Sequence, residues 1–323
     1  MNTKTKESMN LKESKQSKYL VGIYVNKLSN DNNLAACLHS IANQTLPVDL
    51  VIFTKDLSSD EIVKLKSLAE KPFVSFFEKD EAGQSVEKTI TSDKKVNYIL
   101  FDTAETMNFS KIFNSTFNIA LENGYEGISI AEPEDGYSVK WFEIADKYSS
   151  ENPNIGILAP LIRNTTNGVF SGIMNEACWL EGQSEEAGKF DINLLQRYNC
   201  LSPLGSIYKV DKVLEYSERE GEENKGRAVP MKESMKLSHY YEFFLRMIYD
   251  AVEIMTVPRI GYELKSSFKD SFEDSSCKIP QDLAVLSPEK GGLNPDEIRF
   301  WFEIAKKEFY HDEDRKKVYE QSA

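Results

Sequence analysis

The stretch Tyr19-Leu-Val-Gly-Ile-Tyr-Val25 decides the fold class, because it is a near-continuous apolar run of strand length. A strand that is apolar on both faces is typical of a sheet covered by helices on both sides. Val48-Asp-Leu-Val-Ile-Phe53 has the same character, and the intervening segment 34–41 carries apolar residues at helical spacing. The opening of the chain therefore predicts a strand, a helix and a second buried strand.

The alternation of strand and helix continues along the chain. Ser58-Ser-Asp-Glu61 is a capping-box pattern that predicts a second helix, and Gly124 is expected to end a third helix that begins near Ser110. We predict further strands at 73–77, 96–101, 127–131 and 155–158, and further helices up to 148, over 240–255 and over 294–310. This order is typical of an α/β fold with a mostly parallel, twisted sheet and helices on both faces.

Composition excludes several functional classes. The chain has 323 residues, and its 39 Lys+Arg against 52 Asp+Glu give a formal net charge of −13, which disfavours nucleic acid as a partner. No apolar run approaches the ~18 residues that a transmembrane segment requires, and the polar N-terminus does not resemble a secretory signal. We therefore expect a cytoplasmic protein.

Most common catalytic signatures are also missing from the sequence. The four cysteines include no CxxC pair, and three histidines are too few for a multi-histidine zinc site. GxGxxG, P-loop, HExxH and GxSxG motifs are absent as well. Any chemistry is therefore expected to rest mainly on carboxylates.

The acidic turn Glu132-Pro-Glu-Asp-Gly136 carries the clearest chemistry. It directly follows a short apolar strand, so its three carboxylates are expected at the carboxyl edge of the sheet, where ligands of such folds bind. Carboxylates this close together repel one another unless a cation offsets them, and Mg²⁺ or Mn²⁺ commonly links such groups to substrate phosphates. A solvated acidic turn without a ligand is the alternative.

The chain resembles the family 2 glycosyltransferases of the GT-A fold over residues 19–162, and faintly over residues 200–262. Ser40-Ile-Ala-Asn-Gln-Thr-Leu-Pro47 is similar to the family's S-I-x-x-Q-T-x-P motif, and Asn118-Ile-Ala-Leu121 to its A-R-N-x-G-I segment. Glu132-Pro-Glu-Asp135 stands in the place of the family's D-x-D-D metal motif. The resemblance implies a GT-A fold and transfer of a sugar from a UDP- or GDP-sugar donor to a glycan or lipid-linked hydroxyl acceptor.

The resemblance also implies roles for individual residues. A divalent cation, Mn²⁺ or Mg²⁺, would offset the charge of the leaving diphosphate, and a base would assist an inverting attack by the acceptor hydroxyl. The residues in these roles are Tyr24, Asn26, Asp56 and Asn118 for the donor, Glu132, Glu134 and Asp135 for the metal, and His239 and Glu242 for catalysis.

The sequence departs from the family's pattern at several of these positions. Both motif aspartates are glutamates, the family's arginine is Phe117, and its base pair aligns with His239-Tyr240. The base would then be His239 or Glu242, unless His239 merely begins a helix. A late histidine that some relatives use near the metal is missing around Tyr262-Glu-Leu-Lys265. A GT-A-like binding or assembly module without turnover is therefore the alternative function.

We expect four regions along the chain. Residues 1–17 are predicted to be a disordered tail, 18–162 the donor half, 163–280 the acceptor half and 281–323 a C-terminal helical extension. Within the acceptor half, the charged segment 218–236 is expected to be a mobile lid. The aromatic-rich stretch Arg299-Phe-Trp-Phe302 suggests that the last helix is a contact surface for a homo-oligomer.

Overall fold

A computed structural model describes residues 17–28, 31–79, 84–166, 169–180, 186–190, 194–195, 200–220, 226–233 and 239–265. The predicted helical extension, with its oligomer contact, lies outside the described residues, as does all of the predicted tail except its last residue. No helix in the described part of the chain combines the length and apolar character needed to cross a bilayer.

The described residues alternate between strands and helices through the first half of the chain. The strands are β1 (Tyr19–Val25), β2 (Asp49–Thr54), β3 (Phe73–Lys79), β4 (Ser85–Thr91), β5 (Tyr98–Asp102), β6 (Gly127–Ile130), β7 (Gly136–Tyr137), β8 (Ile155–Thr166), β9 (Val169–Met174), β10 (Lys189–Phe190), β11 (Ile207–Lys209), β12 (Glu218–Glu220), β13 (Arg227–Val229) and β14 (Glu253–Leu264). The helices are α1 (Asp31–Ala42), α2 (Ser59–Glu70), α3 (Phe109–Asn123), α4 (Trp141–Glu151), α5 (Val210–Glu215) and α6 (His239–Tyr249), with a 3₁₀ turn at Ala177–Trp179.

One sheet joins both halves of the chain. Its strand order is β10-β14-β8-β11-β6-β1-β2-β5, with β7 beside β14 and β9 beside β8. Strands β6, β1, β2 and β5 run parallel, as do β8 and β14, whereas β11 is antiparallel to both β6 and β8. Strands β6 and β8 therefore point the same way, and all six parallel strands end at one edge, which we call the carboxyl edge.

Helices cover the sheet on both faces, as the sequence predicts. Successive side chains of β1 enter different cores: Leu20 packs with residues of α3, α5 and α6, whereas Val21 and Ile23 pack with residues of α1, α2 and α4. This two-sided burial explains why β1 and β2 are apolar along their whole length. The predicted α/β architecture with a mostly parallel sheet is confirmed.

Local signals set several of the helix ends. Ser58 and Glu61 form the predicted capping box of α2, with each side chain bonded to the other residue's backbone N–H. Helix α3 begins after Asn108, whose side chain accepts a hydrogen bond from the Lys111 N–H. It ends at Gly124, which has the left-handed φ of 74° that favours glycine.

Two elements differ from the sequence prediction. The helix predicted to run to Met255 ends at Tyr249, because Ala251 adopts a left-handed φ of 64° and the following residues join β14, which pairs with β8. The sequence does not predict β4, because all of its side chains are exposed and it has no buried face. The strand is held by pairing with β3 in a two-stranded hairpin. The predicted boundary between donor and acceptor halves, after residue 162, falls inside β8.

Residues 227–231, which we call the strap, are fixed on α3 by two asparagines one helical turn apart. The Asn118 amide donates to the Ala228 carbonyl at 2.7 Å and accepts from the Ala228 N–H at 2.9 Å. Asn114 binds the carbonyl and N–H of Met231 in the same way, at 2.7 and 3.0 Å. The described part of the charged segment 218–236 thus includes a docked stretch, which differs from the expectation of a mobile lid over its whole length.

Replacing Asn114 with leucine tests this anchoring. The substitution removes both bonds to Met231 and leaves two buried backbone groups without these partners, so we expect the free energy of unfolding to fall by about 2–4 kcal/mol. Urea denaturation measures the change, with Asn123→Leu at the exposed end of α3 as the control. Equal stability of the two variants would contradict an anchoring role for Asn114.

Candidate functional site

The acidic turn lies at the carboxyl edge, between the end of β6 and the start of β7. The Asp135 N–H donates to the Glu132 carbonyl at 3.1 Å and closes the turn. Strand β7 then pairs with the end of β14, so that Tyr137 lies opposite Tyr262. The two sides of this turn therefore meet strands from different parts of the chain.

Asp135 is the buried member of the turn, with no exposed surface. Its Oδ2 accepts a hydrogen bond from the Tyr262 hydroxyl at 2.8 Å, and its Oδ1 accepts from the Lys265 backbone N–H at 2.9 Å. Both donors lie at or just beyond the end of β14. A buried carboxylate is stable only when hydrogen bonds compensate its lost hydration, and β14 supplies them here.

Glu132 and Glu134 are partly exposed. Burial, reinforced by the neighbouring charges of Asp135 and Glu134, raises the pKa of Glu132 to about 8. The turn therefore holds more negative charge than the site stabilises by itself. A bound cation, or a proton on Glu132, would relieve this repulsion.

Helix α1 and the residues that follow it also support the acidic turn. The buried Cys37 thiol donates to the Glu132 carbonyl with an Sγ–O distance of 3.7 Å, and burial raises its pKa to about 12. The Ser40 hydroxyl accepts from the Tyr137 N–H at 3.0 Å. The Gln44 amide donates to the Ser138 carbonyl at 2.9 Å, and the Thr45 N–H donates to the Val139 carbonyl at the same distance.

The three predicted metal ligands differ in how exposed their carboxylates are and in whether other groups already bind them. Glu132 and Glu134 fit a divalent cation, because Mg²⁺ is commonly held by one or two carboxylates together with substrate phosphates. Asp135 fits poorly, since it is buried and both of its oxygens accept hydrogen bonds from β14. Within the described residues, no group of three or more histidine, cysteine, aspartate or glutamate side chains is arranged to hold a metal ion.

Three of the four predicted donor residues lie at the carboxyl edge. Tyr24 is near the end of β1, Asn26 is exposed just beyond it, and Asp56 follows β2 with a left-handed φ of 55°. Asn118 instead lies within α3, where both amide atoms bind the strap. The structure therefore places Tyr24, Asn26 and Asp56 at the edge that carries the acidic turn, but not Asn118.

The predicted catalytic residues lie in the first turn of α6. This helix precedes β14, which begins at the opposite edge of the sheet, so the N-terminus of α6 lies towards the carboxyl edge. His239 is 7% exposed, its ring stacks on Phe109 at 5.8 Å, and neither ring nitrogen has a hydrogen-bond partner among the described residues. Burial lowers the pKa of His239 to about 4, which keeps the imidazole neutral at pH 7.

Glu242 is engaged in a buried ion pair. It is 1% exposed, and its Oε1 accepts from Arg246 Nε at 2.9 Å. The same guanidinium donates to the backbone carbonyls of Tyr216 and Pro230. Glu242 thus helps to orient an arginine that binds the strap, whereas His239 keeps both nitrogens without a described partner.

A pocket of about 350 Å³ opens beside the start of α6. Its walls come from β9 and the residues that follow it, from residues 200–202 and from α6, and most of the side chains are apolar. The lining residues are Ile173, Met174, Asn175, Glu176, Ala177, Leu180, Cys200, Leu201, Ser202 and Tyr240. Tyr240 lines this pocket, and its ring lies 5.8 Å from the ring of His239, the candidate base.

Sequence reasoning missed the residues that hold the acidic turn. In the sequence, Tyr262 and Lys265 mark only the place where a histidine of some relatives is missing, and Cys37 is one of the apolar residues at helical spacing within 34–41. Asp135 and Tyr262 are 127 positions apart in the sequence, so no local pattern joins them. The one available signal was the apolar alternation of β14, which predicts a buried Tyr262 but not its partner.

The raised pKa of Glu132 predicts a specific dependence of stability on pH. The folded state binds this proton more tightly than the unfolded state, so the contribution is present below about pH 4.5 and is lost as the pH rises through 8. Between pH 5.5 and 8, we expect wild-type stability to fall relative to Glu132→Gln by on the order of 2 kcal/mol. Urea denaturation across this range measures the difference, and the exposed Glu122→Gln should follow the wild type.

His239 predicts the opposite slope at lower pH. Its pKa is lowered in the folded state, so its stabilising contribution is present above about pH 6.5 and is lost as the pH falls towards 4. Between pH 6.5 and 4.5, we expect the wild type to lose about 2–3 kcal/mol relative to His239→Phe. Parallel stability curves for the two proteins would show that His239 is not a buried neutral imidazole.

No protein-family model and no curated protein matches this sequence. Among solved structures, S. aureus TarS 1–349 in complex with UDP-GlcNAc aligns with a TM-score of 0.53 and 14% identity, covering 80% of this chain and 61% of that one. The UDP complex of the same fragment aligns with a TM-score of 0.49 and 14% identity, over 78% and 62% of the two chains. The chain thus spans about three-fifths of the TarS fragment, and the first alignment, with the sheet described above, shows a fold of the GT-A type.

Proposed function

We propose that the protein is a nucleotide-sugar-dependent glycosyltransferase of the hexosyltransferase type, related to family 2. The observation that carries this proposal is the acidic turn at the carboxyl edge, where burial, reinforced by the charges of Asp135 and Glu134, raises the pKa of Glu132 to about 8. The fold adds support, since a structure of the same fold was solved with UDP-GlcNAc bound. A nucleoside diphosphate together with a divalent cation is the ligand that this edge of the sheet suits best.

The donor would lie across the ends of β6, β1 and β2. Tyr24, Asn26 and Asp56 are positioned to contact the nucleoside, because they lie at or beyond the ends of these strands. Glu132 and Glu134 would hold Mn²⁺ or Mg²⁺. That cation would supply charge to offset the leaving diphosphate.

His239 is the better candidate for the base that accepts the proton of the acceptor hydroxyl. Its imidazole is neutral at pH 7, and neither nitrogen has a hydrogen-bond partner among the described residues. Glu242 suits the role less well, because its carboxylate accepts hydrogen bonds from Arg246. A base on the face opposite the leaving group would give inversion at the anomeric carbon.

The acceptor would enter through the pocket beside Tyr240. Its volume of about 350 Å³ is within the usual range for small-molecule sites. The lining combines apolar side chains such as Ile173 and Leu201 with the polar Asn175 and Ser202. This mixture suits a glycan, or the head of a lipid-linked acceptor.

A binding or assembly module without turnover is the second candidate function. It is favoured by the buried, fully engaged Asp135 and by the low pKa of His239, which makes the imidazole a weak base. This candidate shares donor binding with the enzyme and differs only in the chemical step. Measuring binding and turnover separately therefore distinguishes the two.

Donor binding can be tested directly by calorimetry with UDP-GlcNAc, in the presence and absence of Mn²⁺. We expect Mn²⁺-dependent binding at or below about 1 mM, and we expect Glu134→Gln to weaken it by at least about tenfold through loss of a cation ligand. Glu122→Gln is the matched control, because it removes the same charge from an exposed site on α3. Other UDP- and GDP-sugars should be titrated in parallel.

The outcomes separate the candidates. Slow hydrolysis of UDP-GlcNAc, or transfer to an added acceptor, supports the enzyme, whereas binding without either supports the module. If none of the nucleotide sugars binds at about 1 mM, the proposed function is wrong. Equal affinities of Glu134→Gln and Glu122→Gln would remove Glu134 from the site.

A further inference from the structure

We propose that Tyr262 is a positioning residue for the acidic turn, and that Asp135 serves as its anchor rather than as a metal ligand. This inference deepens the proposed function and rests on it. Tyr262 is not itself proposed to bind the cation, which would face the partly exposed carboxylates of Glu132 and Glu134. It acts on them through the backbone of Glu132 and the side chain of Asp135.

The Tyr262 hydroxyl joins the first and last acidic residues of the turn. It accepts a hydrogen bond from the Glu132 N–H at 3.1 Å and donates one to Asp135 Oδ2 at 2.8 Å. A single oxygen atom therefore fixes the spacing between Glu132 and Asp135.

The second oxygen of Asp135 is fixed by the same strand. Its Oδ1 accepts from the Lys265 N–H, which is a backbone donor and does not depend on a side-chain rotamer. Asp135 thus has each oxygen bound to a different position at the end of β14. This arrangement leaves Glu132 and Glu134 as the two partly exposed carboxylates of the turn.

Close packing holds the Tyr262 ring in place. A Cβ atom on Gly205 would lie only 2.6 Å from ring carbons of Tyr262, and Gly205 has a left-handed φ of 69°. The Gly205 N–H also donates to the Ile130 carbonyl, at the end of β6. On another side, the Tyr137 ring meets Tyr262 edge-on at 5.1 Å. The ring therefore has little freedom, and its hydroxyl is a rigid reference point for the turn.

Removing this hydroxyl should loosen the turn without unfolding the protein. Tyr262→Phe takes one donor from a buried carboxylate and the acceptor from the Glu132 N–H, while it keeps the ring that fills the core. The carboxylate retains the Lys265 N–H, so the anchor is weakened rather than abolished. The expected consequence is a less ordered pair of glutamates and weaker binding of a cation with its diphosphate.

Tyr125→Phe is a matched control. The Tyr125 hydroxyl donates to Asp49 Oδ2 at 2.8 Å. This contact joins a tyrosine to an aspartate at the same distance as the contact between Tyr262 and Asp135. Both tyrosines are buried, but Asp49 lies at the start of β2, at the edge opposite the acidic turn. A purely structural effect of losing a buried Tyr–Asp hydrogen bond should therefore appear in both variants.

The test combines hydrogen–deuterium exchange and calorimetry. In the full-length protein without ligand, we expect Tyr262→Phe to accelerate exchange of the amides in residues 130–137 by at least about tenfold, because the Glu132 N–H loses its acceptor. With Mn²⁺ present, UDP-GlcNAc should bind about 10-fold to 100-fold more weakly than to the wild type, as expected for loss of a supporting partner of a metal site. Tyr125→Phe should change neither quantity, even if both variants lower the melting temperature similarly.

The two readouts keep this inference distinct from the proposed function. If the wild type binds no nucleotide sugar, the proposed function fails. Exchange of the amides in the turn still tests whether Tyr262 positions it. If the turn exchanges equally in Tyr262→Phe and Tyr125→Phe, or if UDP-GlcNAc binds both equally well, the inference is overturned. Should Tyr262→Phe fail to fold, Lys265→Pro removes the Lys265 N–H, which is the second donor to Asp135, and unchanged exchange in that variant would overturn the anchor.

Discussion

The burial of the Asp135 carboxylate is the constraint on which the candidate site depends. A carboxylate without contact with water needs donors on its oxygens, and here both come from the end of β14. Satisfying this one group fixes the path of the chain between β6 and β7. The partly exposed Glu132 and Glu134 then stay close together despite their mutual repulsion, because the backbone that carries them cannot relax apart.

The segment Ser40–Pro47 gains a physical meaning from these contacts. The family resemblance rests on this segment as a sequence pattern. In the structure, Ser40, Gln44 and Thr45 all bind the backbone of residues 137–139, directly after the acidic turn. Ser40 and Gln44 supply side-chain hydrogen bonds that apolar residues could not, whereas Thr45 makes its contact through the backbone N–H. These residues therefore support the candidate site from the end of α1 and the segment that follows it.

Features of the sequence that act locally were predictable, and features that depend on distant partners were not. The capping box at Ser58 and the helix end at Gly124 follow from a few neighbouring residues, and the two-sided burial of β1 follows from its composition. The end of α6 was misread, because Val252 to Met255 continues an apolar pattern that a helix and a buried strand share. Pairing with β8 makes these residues a strand, and nothing in the sequence of α6 indicates that pairing. The role of Asp135 was hidden for the same reason.

The acidic turn connects the two halves of the chain, and this has a consequence for how the site can vary. Helix α1, from the first half, holds one side of the turn, and β14, from the second half, holds the other. The spacing of Glu132 and Glu134 therefore depends on the registration of β14 against β8 and β7, as well as on residues near the donor. A change in the second half that shifts β14 would therefore move both carboxylates, because each oxygen of the buried Asp135 accepts a hydrogen bond from the end of that strand. The part of the chain with the faintest resemblance thus contributes directly to the geometry of the part with the strongest.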